Sequence, residues 1–279
     1  MRTKIIVDST VDLAPGARAK VAAVVPLTIR FGEQEYRDGE TITAQKFYEM
    51  LAACEELPTT SQPTPAVFED AYREATADGS EVVVITIASK LSGTYQSATI
   101  AAEDFDGKVF VVDSRNAALA SGVLAEYALQ LAEEGKSGRE ILEALMEKRK
   151  QVRLYAIVDT LEYLKKGGRL SATVAFVGGV LNLKPIISVE DGVINTVGKA
   201  RGLKKAFEML SAECGRYGGV DYDMPTLLGY TGTGDGQLKK YMEENSDLWS
   251  ADTATSIVGP TIGVHAGPGA VAVGFFSKE

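Results

Sequence analysis

EVVVITIASKLSGTYQSA, residues 81–98, contains a strand pattern followed directly by a helix pattern. Its first part, EVVVITIAS, carries no charge after Glu81 and is rich in β-branched residues, which predicts a buried strand. From Gly93 on, the composition and spacing predict a helix, so Ser92, Gly93 and Thr94 would form the turn between the two elements. A buried strand that leads directly into a helix is the repeating unit of α/β folds.

The same alternation extends along the chain in both directions. Short β-branched runs predict strands at 4–8, 24–31, 81–89, 108–114, 153–160, 184–191 and 225–231. Helical spacing of apolar residues predicts helices at 44–57, 65–79, 93–105, 117–135 and 138–151. Strands that alternate with helices predict an α/β fold of mostly parallel sheets covered by helices.

The order of these elements also predicts a division into domains. Two helix patterns in succession give way to a new strand near residue 152, and another boundary is expected near residue 60. We therefore expect an N-terminal α/β domain made of 1–60 and 61–152, and a C-terminal α/β domain of 153–279. Three carboxylate–hydroxyl pairs close predicted strands, where they could either face a ligand or cap helices: Asp8-Ser9, Asp113-Ser114 and Asp159-Thr160.

Composition limits the class of protein and its partners. The 279 residues are 45% hydrophobic and 24% charged, which suits a sizeable buried core. Acidic residues outnumber basic ones by 38 to 29, giving a formal net charge of -9 without a basic block, so we do not expect nucleic acid as a partner. Cys54 and Cys214 lie far apart in helix patterns, which is typical of reduced thiols. No apolar stretch approaches the roughly 20 residues of a membrane span, so we expect a cytoplasmic protein.

Two segments present hydroxyl groups at turns. PTTSQPTP, residues 58–65, is too rich in proline for a helix or a central strand and is predicted to be a loop. Its hydroxyls, together with the start of the next helix at Pro65, could bind an anion, and a capped loop without a ligand is the alternative. The turn at Ser92 and Gly93 suits an anion for the same reason, but it lacks the spacing of a serine nucleophile.

Two cationic or polarisable side chains lie beside glycines. Arg169 follows Gly167-Gly168 and precedes an apolar segment, so its guanidinium could hold a carboxylate or phosphate, with a surface ion pair as the alternative. His265, the only histidine, lies in GVHAGPGAVAVGF, residues 263–275, where AVAVGFF reads as a helix that would place backbone amides near it. A structural histidine is the alternative. A metal site would need several His or Cys ligands at suitable spacing, so we expect no metal.

Taken together and in order, these segments resemble the DegV family of bacterial proteins. The resemblance rests on TSQP (60–63), LSGTYQSA (91–98), LEYLKKGGR (161–169), LKPII (183–187) and H-x-GPGA (265–270), with VDSTVDL (7–13) and VVPLTIRFGEQEYRDG (24–39) matching the family's opening. It implies a two-domain α/β protein that holds one long-chain fatty acid at the domain interface. The chain departs from the family at Ala266, where threonine is frequent, and after Arg169, where basic residues are frequent.

The resemblance also implies a site and a role. Contacts to the ligand carboxylate fall on Thr60 or Ser61, Ser92, Gly93, Arg169, His265 and Gly267. An apolar tunnel for the tail is expected to be lined by Phe176, Val177, Val180 and Leu181. Without a cofactor or a catalytic residue of its own, the chain would present the carboxylate to a separate ATP-binding fatty acid kinase subunit. That subunit would make an acyl phosphate for phospholipid synthesis.

Two alternatives to this role stay open. One is a stand-alone small-molecule kinase or phosphotransferase, for which the glycines of GYTGTGDG, residues 229–236, are the best sign, although the chain has no G-x-x-x-x-G-K-[ST] loop. The other is a lipid sensor or carrier that never meets a kinase.

Overall fold

The computed structural model describes residues 2–170 and 182–279. Its strands are β1 (Thr3–Asp8), β2 (Ala23–Val25), β3 (Thr28–Phe31), β4 (Gln34–Arg37), β5 (Thr59–Ser61), β6 (Glu81–Thr86), β7 (Val109–Asp113), β8 (Val152–Ile157), β9 (Leu183–Glu190), β10 (Val193–Arg201), β11 (Thr226–Tyr230), β12 (Thr255–Ile257) and β13 (Val271–Phe276). Its α-helices are α1 (Pro15–Arg18), α2 (Ala44–Ala53), α3 (Pro65–Thr76), α4 (Thr94–Ala102), α5 (Ala118–Glu133), α6 (Gly138–Lys148), α7 (Glu162–Lys166), α8 (Leu203–Cys214), α9 (Gly236–Glu244) and α10 (Pro260–Ala266). Among these residues, no helix is both long enough and apolar enough to cross a membrane.

The strands form three sheets. The first has the order β2-β1-β6-β7 and is parallel throughout, the second has the order β10-β9-β8-β13-β11-β12, and the third is a small antiparallel sheet, β4-β3-β5. The predicted α/β fold, with a parallel sheet and covering helices, is confirmed. All strands of the first sheet end before residue 152, and all strands of the second sheet begin at or after it. The division into domains at that residue stays a prediction.

The prediction of mostly parallel strands is wrong for the second sheet. Only β11 and β12 pair in parallel there, and the other neighbours are antiparallel. One cause is the turn at Asp191 and Gly192, which both have positive φ angles of 48° and 73°, the geometry of a tight two-residue hairpin between β9 and β10. The other cause is β13, which enters the sheet between β8 and β11 and runs against both.

Three local predictions are also corrected. The expected strand 24–31 is divided between two sheets at Pro26, which cannot donate a backbone hydrogen bond. The expected loop 58–65 contains the short edge strand β5, which pairs with β3 and lies between prolines. AVAVGFF is not a helix, because its residues 271–276 form β13, a central strand buried on both faces. The helix in this region is α10, which precedes the glycines and carries His265.

Helix α5 packs between the first two sheets. Its residues share one hydrophobic core with β1 on one side and with β8 and β13 on the other. The contacts are close enough to require glycine: a methyl group at Gly274 would lie 2.6 Å from the carbonyl carbon of Leu119, and one at Gly122 would overlap the carbonyl oxygen of Asp12. Backbone therefore contacts backbone on both sides of the helix.

This contact makes the fold sensitive to a single methyl group. We expect Gly274→Ala to lower the free energy of unfolding by about 1–3 kcal/mol, because the helix and β13 would have to move apart. Denaturant unfolding followed by circular dichroism measures this. Gly236→Ala is the matched control, since no atom lies within 4 Å of its added methyl group and its φ is not positive. Equal stability of the two variants would contradict the close packing.

Candidate functional site

A cavity lies between the first two sheets. Its wall is mainly apolar and comes from alternate residues of β8 and β9, the first residues of α5 and the segments after β6: Leu154, Ala156, Val158, Ile187, Val189, Ala117, Ala118, Ile87 and Leu91. Residues two apart on a strand point to the same face of the sheet, so the two neighbouring strands provide a continuous apolar surface.

Four polar side chains named by the sequence line this same cavity. They are Thr60 on β5, Ser92 before α4, Arg169 after α7 and His265 on α10. Thr60, Arg169 and His265 also line a groove on the outer surface, beside Pro58 and Lys166. Thr60, Arg169 and His265 therefore form the wall between the apolar interior and the exterior.

His265 is held by its neighbours on two sides. Its Nε2 lies 3.0 Å from the hydroxyl oxygen of Thr60, at hydrogen-bonding distance. Its Nδ1 is buried and has no hydrogen-bond partner among the described residues. A methyl group at Gly167 would overlap that nitrogen, so the first glycine of the pair lets the ring approach the backbone closely. One ring nitrogen therefore faces Thr60, and the other packs against Gly167 without a hydrogen-bond partner among the described residues.

Arg169 is held by backbone carbonyl groups. Its Nη1 donates to the carbonyl oxygen of Gly167 at 2.6 Å, and its Nε donates to that of Leu91 at 3.2 Å. Gly168, with a φ of 70°, makes the turn that brings the arginine back toward α7. The bond to Leu91 connects this turn with the Ser92 segment, so two of the predicted motifs meet directly.

Ser92 and Gly93 have different roles. The Ser92 hydroxyl lies 2.8 Å from that of Thr94 and accepts from the Thr94 amide at 3.3 Å, which opens α4. Gly93 does not line the cavity. A methyl group there would overlap the side chain of Gln62, whose Nε2 donates to Ser97 at 3.1 Å. Gly93 thus lets the 58–65 segment pack on α4.

The remaining predicted residues lie beside the cavity or outside the described residues. Ser61 is exposed and points away from the cavity, because it follows Thr60 on the same strand. Gly267 ends α10 with a φ of 72°, and a methyl group there would overlap the ring of Tyr163. The four predicted tunnel residues lie outside the described residues: Phe176, Val177, Val180 and Leu181.

The sequence reasoning missed most of the cavity wall. The alternation of Leu154, Ala156 and Val158 was a usable signal, as was that of Ile187 and Val189, since each set predicts one apolar strand face. What could not be read was which strand faces would share a cavity. Three threonines in the wall were missed as well: Thr10, Thr231 and Thr261.

The electrostatics of the site favour a neutral imidazole. Burial, and then the nearby charge of Arg169, lower the pKa of His265 from 6.5 to about 4. At neutral pH the ring therefore carries one proton, which it can donate, and Arg169 supplies the positive charge. A carboxylate placed beside both side chains would accept hydrogen bonds from them without a proton transfer.

The fold and cavity define an α/β protein of two principal sheets that enclose an apolar cavity with one polar end. Residues 2–278 match the model of the DegV family, and the chain belongs to that family, which confirms the resemblance. A DegV domain-containing protein of Deinococcus radiodurans is 36% identical over 278 residues, 98% of each chain.

Solved structures share the whole fold. A fatty-acid-binding DegV family protein from Thermus thermophilus has a TM-score of 0.87 at 35% identity, covering 99% of this chain and 100% of that chain. A stearic acid-binding protein from Eubacterium ventriosum has a TM-score of 0.83 at 28% identity, covering 99% of this chain and 98% of that chain.

The single histidine gives a direct test of the site's electrostatics. In lipid-free protein we expect the His265 ring to titrate near pH 4 in an NMR pH series. Arg169→Gln should raise this pKa, but not to the ordinary 6.5, because burial is the larger cause of the shift. Lys166→Gln, an exposed change in the outer groove, should leave it unchanged. A wild-type ring that titrates near 6.5 would contradict the buried geometry.

Proposed function

We propose that this protein binds one long-chain fatty acid, with the hydrocarbon tail in the cavity and the carboxylate at the polar end. The observation that carries the proposal is the change of the cavity wall from apolar side chains to Thr60, Ser92, Arg169 and His265. Binding of fatty acids by relatives of the same fold supports it. Enclosing ten or more methylene groups contributes about 0.8 kcal/mol each, so the tail supplies most of the affinity.

The polar end sets the orientation of the ligand. A carboxylate that leaves water loses hydration, and charge-assisted hydrogen bonds of about 1.5–3 kcal/mol each offset that cost. Arg169 lies near enough to His265 to affect its pKa, and both line one cavity with Ser92. The Thr60 hydroxyl is at hydrogen-bonding distance from His265, so its role is to fix the orientation of the imidazole ring.

The outer groove supports presentation of the carboxylate to a second protein. Thr60, Arg169 and His265 line both the cavity and this groove, so a head group held by them is close to the exterior. We propose that an ATP-dependent fatty acid kinase subunit reaches the carboxylate from this side, in the cytoplasm. A carboxylate oxygen then bonds to the terminal phosphorus of ATP as ADP leaves, and the acyl phosphate serves phospholipid synthesis.

The role of His265 in this scheme is that of a hydrogen-bond donor. The carboxylate is ionised at neutral pH, so the reaction needs no general base. A ring whose pKa is held near 4 is a poor acid–base group at pH 7, but it can stabilise the carboxylate or the phosphoryl oxygens of the acyl phosphate formed from it.

Fatty acid binding is tested by mass spectrometry of the purified protein. Native spectra should show the protein with one fatty acid, which denaturing conditions release. Arg169→Gln should weaken binding by about tenfold or more, because one charge-assisted contact to the carboxylate is lost. Arg73→Gln, a surface arginine on α3, is the control and should retain the lipid. Wild-type protein that neither carries nor takes up a fatty acid would refute the proposal.

Presentation to a kinase is tested separately. With a purified fatty acid kinase subunit, ATP and oleate, we expect His265→Ala to retain the fatty acid but to form acyl phosphate at least about tenfold more slowly. Ser61→Ala should behave as wild type, since Ser61 points away from the cavity. Normal turnover by His265→Ala with normal binding would remove this role of the histidine, and no turnover by wild type would favour a carrier without a kinase.

A further inference from the structure

A second cleft lies where the segment after β7 meets β8 and the β9–β10 turn. The charged side chains that line it comprise four cations and two carboxylates: Arg115, Arg149, Lys150, Arg153, Glu190 and Asp191. The whole chain carries a net charge of -9, so the local charge of this cleft is opposite in sign to the net charge of the protein. Such a local field attracts anions.

Arg149 is the buried cation of this cleft. The residue is 8% exposed, and the only side-chain hydrogen bond that it makes among the described residues runs from Nη1 to the carbonyl oxygen of Asp113. Its Nε is buried without a partner, and it forms no ion pair within the described part of the chain. Burial, and then the charge of Arg115, lower the pKa of its guanidinium. A buried, unpaired guanidinium is costly unless something negative faces it.

Asn116 provides a second buried polar group in the same cleft. The residue is 3% exposed, and its side-chain Oδ1 is buried without a hydrogen-bond partner among the residues described. The Asn116 amide group can turn its NH₂ donors toward a bound oxygen. Arg149 and Asn116 thus each bring a buried polar atom without a partner among the described residues to the wall of one basic cleft, and Asn116 can serve an anion with its NH₂ group turned toward it.

The other cations suit the edges of an anion site. Arg115 pairs with Asp191 at 3.1 Å, but both side chains are exposed, so the pair is weak and a more highly charged anion can compete for the arginine. Lys150 is also exposed. Arg153 stacks on the ring of Tyr217 at 4.5 Å and donates to backbone carbonyls, which closes one side of the cleft.

This cleft is separate from the proposed head-group site. Val189 lines both the cavity and the cleft and pairs with Leu154 across β8 and β9. Leu154 and Val158 both line the cavity and are four residues apart, which is about 13 Å along an extended chain. The chain then continues from Val158 toward Arg169. The basic cleft therefore adjoins the end of the cavity that is far from Arg169 and His265.

We propose that this cleft binds an anion of the phosphate class, with Arg149 and Asn116 at its base and Arg115 and Lys150 at its rim. Planar guanidinium groups match phosphate oxygens with two parallel hydrogen bonds, and the amide of Asn116 adds a neutral donor. Free phosphate and the phosphoryl group of a small molecule share this chemistry. The site is independent of the fatty acid proposed for the cavity.

Calorimetric titration of the full chain with inorganic phosphate, pyrophosphate and ADP tests the site. We expect saturable binding of at least one probe. Binding of inorganic phosphate as tight as that of ADP identifies the free ion, and preference for ADP identifies a phosphorylated small molecule. Arg149→Gln should weaken binding by about tenfold or more, and Arg115→Gln by several-fold. Asp191→Asn should tighten it, because a competing carboxylate is removed.

The controls separate binding from folding. Arg73→Gln, which removes an exposed, ion-paired arginine on α3, should bind as wild type. Arg115 is exposed, so Arg115→Gln stays informative if Arg149→Gln fails to fold. Fatty acid retention should be unchanged in Arg115→Gln, because its side chain is absent from the cavity wall. The proposal is overturned if none of the three probes binds saturably, or if Arg115→Gln and Asp191→Asn both bind as wild type.

Discussion

The contact between helix α5 and the strands on either side sets the distance between the two main sheets. Gly122 admits the backbone at Asp12, and Gly274 admits the backbone at Leu119, so neither sheet can move outward without losing that contact. The cavity begins where α5 begins, at Ala117 and Ala118, and the Ala118 amide donates to the carbonyl oxygen of Thr10 at 3.1 Å. Two sheets held apart by a helix whose first turn carries small residues leave room there for a ligand of narrow cross-section.

Buried carboxylates hold the polar end in place. Asp12 accepts from the amide of Gly259 at 2.7 Å and Asp38 from that of Thr261 at 3.0 Å, which fixes the start of α10 one turn before His265. Asp8 accepts from the amides of Thr10 and Ile87, both at 2.8 Å, and so joins the ends of β1 and β6. Burial raises the pKa of all three carboxyl groups, that of Asp8 to about 6. The carboxylate of Asp8, at the end of β1, therefore accepts hydrogen bonds from backbone amides. It positions the site and does not line the cavity.

Local patterns were enough for the parts of the fold that local chemistry controls. The parallel strands β1, β6 and β7 were predicted from short runs of β-branched residues, and helices α3 to α6 from helical spacing with clear ends. β13 is buried on both faces like β6, but it was misread because its run has alanine and glycine where β6 has valine and isoleucine, and it has no alternation to separate it from a helix. Gly229, read as a phosphate-loop candidate, packs instead against the side chain of Leu119. Motifs in the sequence pointed to the residues of the polar end. The apolar wall, in contrast, depends on which strands become neighbours in the sheet. Asp191-Gly192 is a local signal of the β9–β10 pairing, and the sequence reasoning overlooked it.

The distribution of polar groups also decides which way an acidic, oily ligand can enter. Of the threonines in the wall, Thr10 donates its hydroxyl to Asp8, and the Thr231 hydroxyl accepts from the amide of Ala270 at 2.8 Å, so both already have partners. Near Leu154 and Val189 the wall is aliphatic, and a carboxylate placed there would lose its hydration without a hydrogen bond in return, at a cost of several kcal/mol. At the opposite end Arg169 offers a charge and His265 a buried nitrogen without a partner among the described residues. For the fatty acid proposed above, the aliphatic wall near Leu154 thus favours the tail, and the acid group belongs at the end that the outer groove reaches.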